Sequence, residues 1–411
     1  MAEILFLSHR IPFPPDRGDK IRSHHVLKHL AALAPVHVAT FADDVLDREA
    51  EADLAQIARS YCLIRRTKPL ALAAAGAILT GRPISLTAFH SAELEAYVRR
   101  VLESRPISVI YVFSGQMGQY VPADFRGRVV LDFVDVDSAK FEAYAARDRG
   151  PKGWAEAREA RLLRAEEARL ARRAEVSLLI SDEEAGLFRS RQPASDRGQT
   201  DVRTLGNGID SIAFDPASAP PEPQLARMPY PRLIFTGQMD YAPNVEACLR
   251  AAERILPAIR RHYPHATLHI VGRNPTERLT ALSGRDGVHV WGRVPEVQPW
   301  LAAADLALVP LEIGRGVQNK VLEAMAMSLP VVLTPEAATG IPARHEVEFT
   351  LAEMDADLAD ACLALLRDRK AAEAMGAAAR AFVIAQASWA AALASLRGIV
   401  GLAAQGTRDA A

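Results

Sequence analysis

The sequence predicts an α/β fold with two domains, each built on a doubly wound parallel sheet with helices on both faces. Two observations support this. Short apolar runs alternate with helix-like segments along the chain, the pattern of parallel sheets covered on both sides. The chain has 411 residues, and a proline-rich stretch divides the apolar runs into two similar sets. We therefore expect two cores.

The predicted strands form one set before residue 182 and another after residue 230. They are EILFLS, VHVATF, SVIYVF, RVVLDFVDV and VSLLIS, and then PRLIFTG, ATLHIVG, GVHVWG, DLALVP and LPVVLT. Between the sets, six prolines from Pro216 to Pro231 favour extended, exposed chain. We predict an N-terminal domain (1–215), a linker (216–231), a C-terminal domain (232–387), and a final helix and tail (388–411) that could cross back to the N-terminal domain.

Three further segments predict helices. Trp154 to Glu175 is rich in Ala, Arg and Glu, which favours a helix with a solvated charged face. Near the end of the chain, residues 358–383 and the segment from Ser388 predict two more helices.

Charge and cysteine content disfavour several kinds of partner and site. Lys plus Arg (49) nearly balance Asp plus Glu (50), so nucleic acid is not a predicted partner. The three cysteines are far apart and form no C-x-x-C pair, which disfavours a disulfide framework and a structural zinc site. A reducing cytoplasm is the expected location.

Neither end of the chain nor its interior predicts a membrane span. The start, MAEILFLSHR, has no basic region before a long apolar run and is expected to form the first strand. The longest apolar stretch, Leu70 to Leu79, is about half the length that a spanning helix needs. This stretch could pack inside its domain or lie on a membrane surface.

The loops after the first strand of each set lack G-x-G-x-x-G, which disfavours a dinucleotide dehydrogenase. The N-terminal loop reads PPDRGDK instead. Its Gly18 permits close approach of a ligand, and Arg17, Lys20 and Arg22 supply positive charge near a helix start. This pattern suits an anionic ligand, although an ordinary surface loop remains the alternative.

The stretch GRGVQNKVLEAMAMSLPVV follows the strand DLALVP and places Gly314 and Gly316 in a strand-to-helix loop. We expect the helix to cover residues 317–327. Its positive N-terminal end and Lys320 would bind a diphosphate, and Glu323 would accept hydrogen bonds from ribose hydroxyls. The alternative is an amphipathic helix with a Lys/Glu surface pair.

The segment DFVDVDS contains Asp132, Asp135 and Asp137. Three interpretations are open. The D-V-D triplet could bind Mg²⁺ or Mn²⁺ through its carboxylates. Asp135 could instead orient or deprotonate an acceptor hydroxyl. A carboxylate at the end of a strand could also simply cap the next helix.

The order of motifs from Leu233 to Val332 resembles the donor domain of GT-B glycosyltransferases of family 4 (glycosyl transferases group 1). The passage TLGNGIDSIAFDP is similar to the end of that family's first domain. The starts SHRIPFPPDRGDKIRSHH and VVLDFVDVDSAKFEAYA resemble sugar transferases of exosortase-linked (PEP-CTERM) exopolysaccharide clusters. The resemblance implies a GT-B fold, in which two Rossmann-like doubly wound domains face a cleft, with C-terminal helices.

The residue patterns and the resemblance together give the predicted site residues. The donor-binding set is Gly18, Gly237, Gly272, Arg315, Gly316, Asn319, Lys320 and Glu323. Lys320 and Asp135 are the predicted catalytic residues. Many family members have a Glu eight positions before the nucleotide-contacting Glu, where this chain has Arg315. The basic residues that often follow the first C-terminal strand are absent from GQMDYAPN, so Lys320 and Arg315 are expected to supply that charge.

The predicted function is transfer of a sugar from a nucleotide-diphosphate donor to a hydroxyl of a lipid-linked glycan in exopolysaccharide or cell-envelope synthesis, with retention of configuration. No metal or other cofactor is expected. The predicted location is cytoplasmic, with peripheral association at the inner face of the cytoplasmic membrane as an option. A nucleotide-sugar epimerase, a catalytically silent nucleotide-sugar-binding subunit and a glycosidase are alternatives, although a glycosidase would need a close pair of carboxylates.

Overall fold

The structure, a computed structural model, describes residues 2–148, 150–314 and 316–402 and divides into two compact units. Unit 1 comprises Met1–Asn207 and the segment that begins at Leu393. Unit 2 comprises Gly208–Ala392. The chain therefore changes unit at Asn207, before the proline-rich stretch, and again at Leu393.

Unit 1 is built on a seven-stranded sheet with the order β3-β2-β1-β4-β5-β6-β7. Every neighbouring pair is parallel. The strands are β1 (Glu3–Ser8), β2 (Val36–Ala42), β3 (Ser60–Arg65), β4 (Ile107–Phe113), β5 (Arg128–Val134), β6 (Val176–Leu179) and β7 (Val202–Thr204). The first strand of the unit thus lies inside the sheet.

Nine helices precede the change to unit 2 in the described part of the chain. They are α1 (Gly18–Leu33), α2 (Val45–Glu49), α3 (Glu51–Ile57), α4 (Leu70–Thr80), α5 (Ile84–Ala88), α6 (Ala92–Ser104), α7 (Asp137–Ala145), α8 (Pro151–Arg173) and α9 (Asp182–Arg191), with a 3-10 turn at Gly115–Tyr120. The charged helix α8 begins three residues before the predicted Trp154, because Pro151 occupies its first turn, where a missing N–H costs nothing.

A buried ion pair ties several of these elements together. Arg22 on α1 is 1% exposed, and its Nε and Nη2 donate to the two carboxylate oxygens of Asp132 on β5, each at 3.1 Å. The hydroxyl of Tyr111 on β4 donates to the same carboxylate at 2.8 Å. Arg22 Nη1 donates to the Gly206 carbonyl at 3.2 Å and to Oδ1 of Asn207 at 3.0 Å. Although burial opposes it, the Asp132 charge keeps the pKa of Arg22 above its ordinary value.

Unit 2 repeats this architecture with six parallel strands in the order β10-β9-β8-β11-β12-β13. The strands are β8 (Arg232–Thr236), β9 (Thr267–Val271), β10 (Val288–Gly292), β11 (Leu306–Val309), β12 (Val331–Leu333) and β13 (Thr350–Leu351). The predicted α/β fold with two doubly wound parallel sheets is confirmed. All ten predicted strands form, and β3, β7 and β13 are additional.

The remaining described helices run from the proline-rich stretch to the end of the described chain. They are α10 (Pro223–Ala226), α11 (Ala242–Arg250), α12 (Leu256–Arg260), α13 (Glu277–Thr280), α14 (Gln298–Ala303), α15 (Asn319–Ala326), α16 (Asp355–Arg367), α17 (Arg369–Phe382), α18 (Trp389–Ala392) and α19 (Leu396–Ile399), with π-helical turns at Ala251–Ile255 and Val383–Ala387.

Two predicted helices are divided in the structure. The segment 358–383 was expected to be one helix, but Asp368 separates α16 from α17, and its carboxylate accepts a hydrogen bond from the Ala371 amide at 3.0 Å. This is N-cap geometry, which starts a new helix. The segment from Ser388 forms two short helices, α18 and α19, in place of one.

The proline-rich stretch differs from the exposed linker that its composition predicts. It contains α10, whose Leu225 is fully buried in the core of unit 2. The Glu222 amide donates to the Pro299 carbonyl at 2.8 Å, and the Tyr230 hydroxyl donates to the Leu366 carbonyl at 2.7 Å. These contacts hold the stretch against its own unit.

The last described helix, α19, contacts the sheet of unit 1. Arg128 at the start of β5 donates from Nε to the carbonyl of Ile399 at 2.6 Å, and its side chain lies against Gly401. Leu396 and Ile399 are buried. No helix of the described residues is long and apolar enough to cross a membrane.

We predict that Asp132→Ala destabilises the protein by about 3 to 5 kcal/mol, because the Arg22 charge would stay buried without its partner. The measurement is urea unfolding followed by circular dichroism. Asp201→Ala is the control, since the Asp201–Arg203 pair is largely exposed and should cost less than about 1 kcal/mol. Equal effects of the two changes would show that Asp132 has no special structural role.

Candidate functional site

Both sheets have a position where the strand order reverses direction. In unit 2 it lies between β8 and β11, because β9 and β10 extend the sheet to one side of β8 and β11 to β13 extend it to the other. Open α/β sheets bind ligands outside the carboxyl ends of their strands at such a position. The loops that follow β8, β9 and β11 are therefore the expected location of a ligand site.

The loops after β8 and β9 approach each other through two glycines. Gly237 has φ 154° and Gly272 has φ 159°. A Cβ atom on Gly272 would lie 1.6 Å from the carbonyl oxygen of Gly237, so no other residue fits at this position. The Met239 amide also donates to the Arg273 carbonyl at 2.8 Å. Both predicted glycines thus lie at the carboxyl edge of the unit 2 sheet, in contact with one another.

The loop after β11 is held by contacts with the loop that follows β12. A Cβ atom on Gly314 would lie 1.8 Å from the Glu336 carbonyl oxygen, and the Val317 side chain lies against Gly340. Gly316 has φ 66°, in the left-handed region that favours glycine. Helix α15 begins at Asn319, two residues later than predicted, after an N-cap residue, Gln318, whose side chain does not cap it.

Lys320 lies where these loops meet. Its Cε would be 3.3 Å from a Cβ atom placed on Gly237, which shows that the lysine side chain passes over the loop after β8. Its Nζ donates to Oε1 of Gln318 at 2.9 Å and lies 5.6 Å from the ring centre of Phe235. Burial lowers the pKa of Lys320, with Glu323 opposing the shift. Lys320 has no ion pair with a carboxylate among the described residues.

Glu323 is half-buried one turn further along α15. Burial raises its pKa to about 7, and the Lys320 charge only partly opposes this. Among the described residues, no group donates a hydrogen bond to the Glu323 carboxylate. This carboxylate therefore changes charge near neutral pH and has lone pairs free to accept hydrogen bonds from a ligand.

Asn244 is a candidate site residue that the sequence analysis missed. It lies in the first turn of α11 and is 4% exposed. Its Nδ2 would lie 2.9 Å from a Cβ atom placed on Gly237. Nδ2 donates to the Gln238 carbonyl at 2.9 Å, but Oδ1 is buried without a partner among the described residues. Such an acceptor is costly to leave unpaired. Its position after Pro243 at a helix start was the only signal in the sequence.

Two other predicted donor-binding residues, between β11 and the first turn of α15, make no described contact with this group. Asn319 is exposed at the start of α15. Arg315 lies outside the described residues. The structure thus brings together Gly237, Gly272 and Lys320, and it adds Asn244 to them.

The basic residues of the N-terminal loop have internal partners. Lys20 is 3% exposed and bonds to the carboxylate of Asp47, which is 0% exposed. Arg22 is the partner of Asp132, as described above. The interpretation of Lys20 and Arg22 as ligands of an anion does not fit these contacts, because buried carboxylates already neutralise both charges. Gly18 begins α1, and its space is open.

Asp135 follows an unusual turn at the carboxyl end of β5. Val134 has φ 69°, which is rare for a β-branched residue, and the Asp135 amide donates to the Phe133 carbonyl at 2.9 Å. This three-residue turn has the form of a strained γ-turn. Backbone strain of about 1 to 3 kcal/mol persists only where the surroundings impose it, and it clusters at functional sites.

Lys140 lies between the two carboxylates of the D-V-D triplet. Its Nζ donates to Asp135 Oδ2 at 2.7 Å and to Asp137 Oδ1 at 3.3 Å. Burial raises the pKa of Asp137, with Lys140 opposing it. Among the described residues no group of three or more His, Cys, Asp or Glu side chains is arranged to hold a metal ion. Asp132, the first aspartate of the segment, belongs to the buried ion pair.

Residues 230–368 match the family model described as "Glycosyl transferases group 1". The match covers about a third of the chain and includes every described site residue of unit 2 named above. No curated protein matches the chain.

Several solved structures share the fold over nearly the whole chain. Anabaena Alr3699/HepE in complex with UDP and glucose has a TM-score of 0.56 and 15% identity, with 97% of this chain and 99% of that chain covered. Sucrose-phosphate synthase from Thermosynechococcus elongatus has a TM-score of 0.57 and 17% identity, with 97% of this chain and 98% of that chain covered. WaaG, a glycosyltransferase involved in lipopolysaccharide biosynthesis, has a TM-score of 0.53 and 17% identity, with 97% of this chain and 100% of that chain covered. The chain therefore has the GT-B fold, and the matched domain supports a glycosyltransferase.

Proposed function

We propose that this glycosyltransferase moves a sugar from a nucleotide-diphosphate donor to a hydroxyl group of a lipid-linked glycan in exopolysaccharide or cell-envelope synthesis. The donor would bind at the carboxyl edge of the unit 2 sheet. Anabaena Alr3699/HepE, which shares the fold, has been solved with UDP and with UDP-glucose. That likeness supports a nucleotide-sugar donor for this chain.

The observation that carries the proposal is the position of Lys320 at the strand reversal of unit 2. Its side chain lies over Gly237, and its ammonium group contacts the neutral Gln318 amide and the Phe235 ring but forms no ion pair with a carboxylate among the described residues, although the Glu323 charge acts on it. A half-buried cation without a carboxylate partner attracts an anion. The two positive-φ glycines beside it let the backbone of both loops approach that anion closely.

The diphosphate is the part of the donor that gains negative charge as the glycosidic bond to it breaks. Lys320 and the first amides of α15 would stabilise this charge, because the first N–H groups of a helix have no partner in the helix and its dipole is positive there. The sugar would develop oxocarbenium character in the transition state. No metal ion is needed for this step in our proposal.

Glu323 and Asn244 would orient the donor. The Glu323 carboxylate can accept hydrogen bonds from the two ribose hydroxyls when it is ionised. Asn244 Oδ1 is a buried acceptor without a partner among the described residues, so a donor group such as a bound water or a ligand N–H or O–H would satisfy it. Arg315 remains a predicted donor contact on the basis of the family resemblance alone.

We assign the orientation or deprotonation of the acceptor hydroxyl to Asp135 in unit 1. The strained turn at Val134 fixes the backbone immediately before this residue, and Lys140 leaves the second carboxylate oxygen of Asp135 free to accept a hydrogen bond. A positioned carboxylate can orient or deprotonate a hydroxyl nucleophile. The retaining outcome rests on the family resemblance, and the lipid-linked acceptor is supported by the likeness to WaaG, which acts in lipopolysaccharide synthesis.

Donor turnover measured with and without an added acceptor tests the proposal against its alternatives. A glycosyltransferase releases nucleotide in proportion to glycosylated acceptor. An epimerase would release nucleotide and altered sugar without an acceptor, and a silent binding subunit would bind donor with no turnover. A thermal-shift panel of nucleotide diphosphates and nucleotide sugars would identify the donor, because a ligand that binds only the folded state stabilises it.

Lys320→Ala should lower kcat/KM by about 30- to 900-fold, which corresponds to about 2 to 4 kcal/mol of lost transition-state stabilisation. The melting temperature should stay close to that of the wild type. Lys370→Ala, which removes an exposed lysine of α17, is the matched control and should be neutral. Wild-type kcat/KM in the Lys320 variant would contradict the assignment.

The affinity for the nucleotide sugar should fall as the pH drops through about 7, because Glu323, with a pKa raised to about 7, then gains a proton and can accept fewer hydrogen bonds. Calorimetry across this range is the measurement. Glu323→Gln should bind more weakly than the wild type above pH 7, should approach it at lower pH, and should lose this dependence. Glu373→Gln on α17 is the control, and a pH dependence that persists in Glu323→Gln would reassign the titrating group.

Asp135→Asn should lower acceptor turnover without changing donor affinity, and the activity of the wild type should survive EDTA. The reason is that Lys320 and the start of α15 supply the positive charge for the leaving diphosphate, so the D-V-D triplet does not have to bind a cation. Coupled nucleotide-release assays and donor titrations measure the two effects. Activity that EDTA abolishes and Mn²⁺ restores, together with loss of donor binding in Asp135→Asn, would overturn both assignments.

A further inference from the structure

Helix α7 begins at a residue that cannot cap it. Its N-cap residue is Val136, whose side chain offers no acceptor to the unpaired amides of the first turn. The Ala139 and Lys140 amides donate to the Val136 carbonyl. The Ser138 amide, at the second position of the helix, has no acceptor within the helix. The start of α7 therefore depends on side chains from other elements.

Two carboxylates from neighbouring helices supply the missing acceptors. Glu167 of α8 accepts from the Ser138 amide at 2.9 Å through Oε1 and from the Ser138 hydroxyl at 2.6 Å through Oε2. Glu184 of α9 accepts from the Val136 amide at 2.7 Å. Glu167 is 6% exposed and Ser138 is 0% exposed, so their contacts are shielded from water, where hydrogen bonds to a carboxylate are strong. The start of α7 is thus held from two sides.

Arg191 of α9 completes the contacts around Ser138. Its Nε and Nη2 donate to the Ser138 hydroxyl at 3.2 and 3.0 Å, and its two Nη groups donate to the carboxylate of Glu142 at 2.7 Å. The hydroxyl therefore donates to Glu167 and accepts from Arg191, which uses its full hydrogen-bonding capacity. Ser138 has no capacity left for a ligand and serves to join α7 to α8 and α9.

The segment held in this way contains Asp135. The residue before it, Val134, has the strained φ of 69° described above, and such strain persists only where the surroundings impose it. On one side of Asp135 the chain is fixed by the pairing of Val134 with Leu179 of β6. On the other side it is fixed by Glu184 and Glu167. These contacts impose the turn and set the direction of the Asp135 side chain.

We propose that Glu167 is a positioning residue that holds Asp135 in the orientation needed to receive the acceptor hydroxyl. The inference rests on the proposed function, in which Asp135 orients or deprotonates that hydroxyl. Glu167 acts through Ser138 and the first turn of α7 and needs no contact with the acceptor. A shift of about 1 Å in a positioned group can cost about 100-fold in rate, so the loss of this contact should be measurable.

Glutamine is a suitable replacement for Glu167. Burial raises the pKa of Glu167 to about 7, while the Ser138 hydrogen bonds and the Arg191 charge oppose the shift. A neutral side chain therefore costs little at this position, and Glu167→Gln should fold with a melting temperature close to that of the wild type. The glutamine oxygen can accept from the Ser138 amide, but the glutamine NH₂ group cannot accept from the hydroxyl.

Glu159, eight residues earlier on α8, provides the matched control. It is 3% exposed and accepts from the amides of Ile84 and Ser85 and from the Ser85 hydroxyl at 2.7 to 2.9 Å. It thus holds the start of α5 as Glu167 holds the start of α7. Only the segment held by Glu167 contains a residue assigned to the acceptor. A purely structural role predicts the same kinetics for Glu159→Gln and Glu167→Gln.

Sugar transfer at saturating donor and about pH 8 tests the proposal. Glu167→Gln should lower kcat/KM for the acceptor by about 10- to 100-fold and leave donor affinity unchanged, whereas Glu159→Gln should change neither. In the Asp135→Asn background, Glu167→Gln should cost less than about twofold more, because the two residues act as a unit. Additive losses, or equal losses in the Glu159 and Glu167 variants, would reject the positioning role.

The difference between the wild type and Glu167→Gln should depend on pH. The charged groups that face Glu167 are Asp137 of α7 and Arg191 of α9, and Asp135 and Glu166 line the same small cavity. With a pKa of about 7, Glu167 is mostly ionised at about pH 8 and mostly protonated at about pH 6. The advantage of the wild type should therefore shrink as the pH falls across this range. A constant ratio of the two rates would contradict the proposal.

Hydrogen exchange followed by mass spectrometry needs neither donor nor acceptor. Amides of residues 134–140 should exchange about tenfold faster in Glu167→Gln than in the wild type, whereas Glu159→Gln should affect residues 84–88 instead. Unchanged exchange at 134–140 would overturn the proposal.

Failure of the proposed function can be told apart in the same samples. Wild-type acceptor turnover in Asp135→Asn would reject the role of Asp135 and, with it, this inference. Lowered turnover in Asp135→Asn with wild-type turnover in Glu167→Gln would leave the proposed function intact and reject only the positioning role. If the wild type glycosylates no acceptor, the proposed function fails, and the exchange at 134–140 decides whether Glu167 holds this segment.

Discussion

Parallel strand pairing is the constraint on which both units depend. Every pair in the two sheets is parallel, so the carboxyl ends of all strands in a sheet lie at one edge. In unit 2 this places the loops that follow β8, β9 and β11 side by side although they are far apart in sequence. Gly237, Gly272 and Lys320 can meet only for this reason. A hairpin-based sheet would send alternate loops to opposite edges and separate them.

Partners, more than burial alone, distinguish structural cations from candidate ligand-binding cations in this chain. Lys20 and Arg22 are almost completely buried, and each faces a buried carboxylate. Such pairs fix neighbouring elements and leave no charge for a ligand. Lys320 is half-buried and contacts a neutral amide and an aromatic ring; the Glu323 charge acts on it, but the two form no ion pair among the described residues. Three basic residues with similar sequence contexts, each near a helix start, thus have different partners.

The sequence predicts the strands well because buried parallel strands are short, uniformly apolar runs. It misses β3, β7 and β13, since SYCLIR, VRT and TL are too polar or too short to stand out. It predicts a ligand-binding role for Lys320 and Glu323 from their place after β11, but it cannot show that Asp47 and Asp132 neutralise Lys20 and Arg22. Those contacts join residues 27 and 110 positions apart. Asn244 was missed because its importance lies in an unpaired oxygen, which only packing reveals.

The turn at Val134 has a consequence for protein engineering. Glycine would adopt its φ of 69° without steric cost, whereas valine is held there by the surrounding structure. A screen for thermostable variants would therefore be expected to select glycine at position 134 early. The same substitution would free the backbone that orients Asp135. Under the role proposed for Asp135, selection for heat resistance and selection for catalytic rate would act in opposite directions on Val134, so the two screens should be run together.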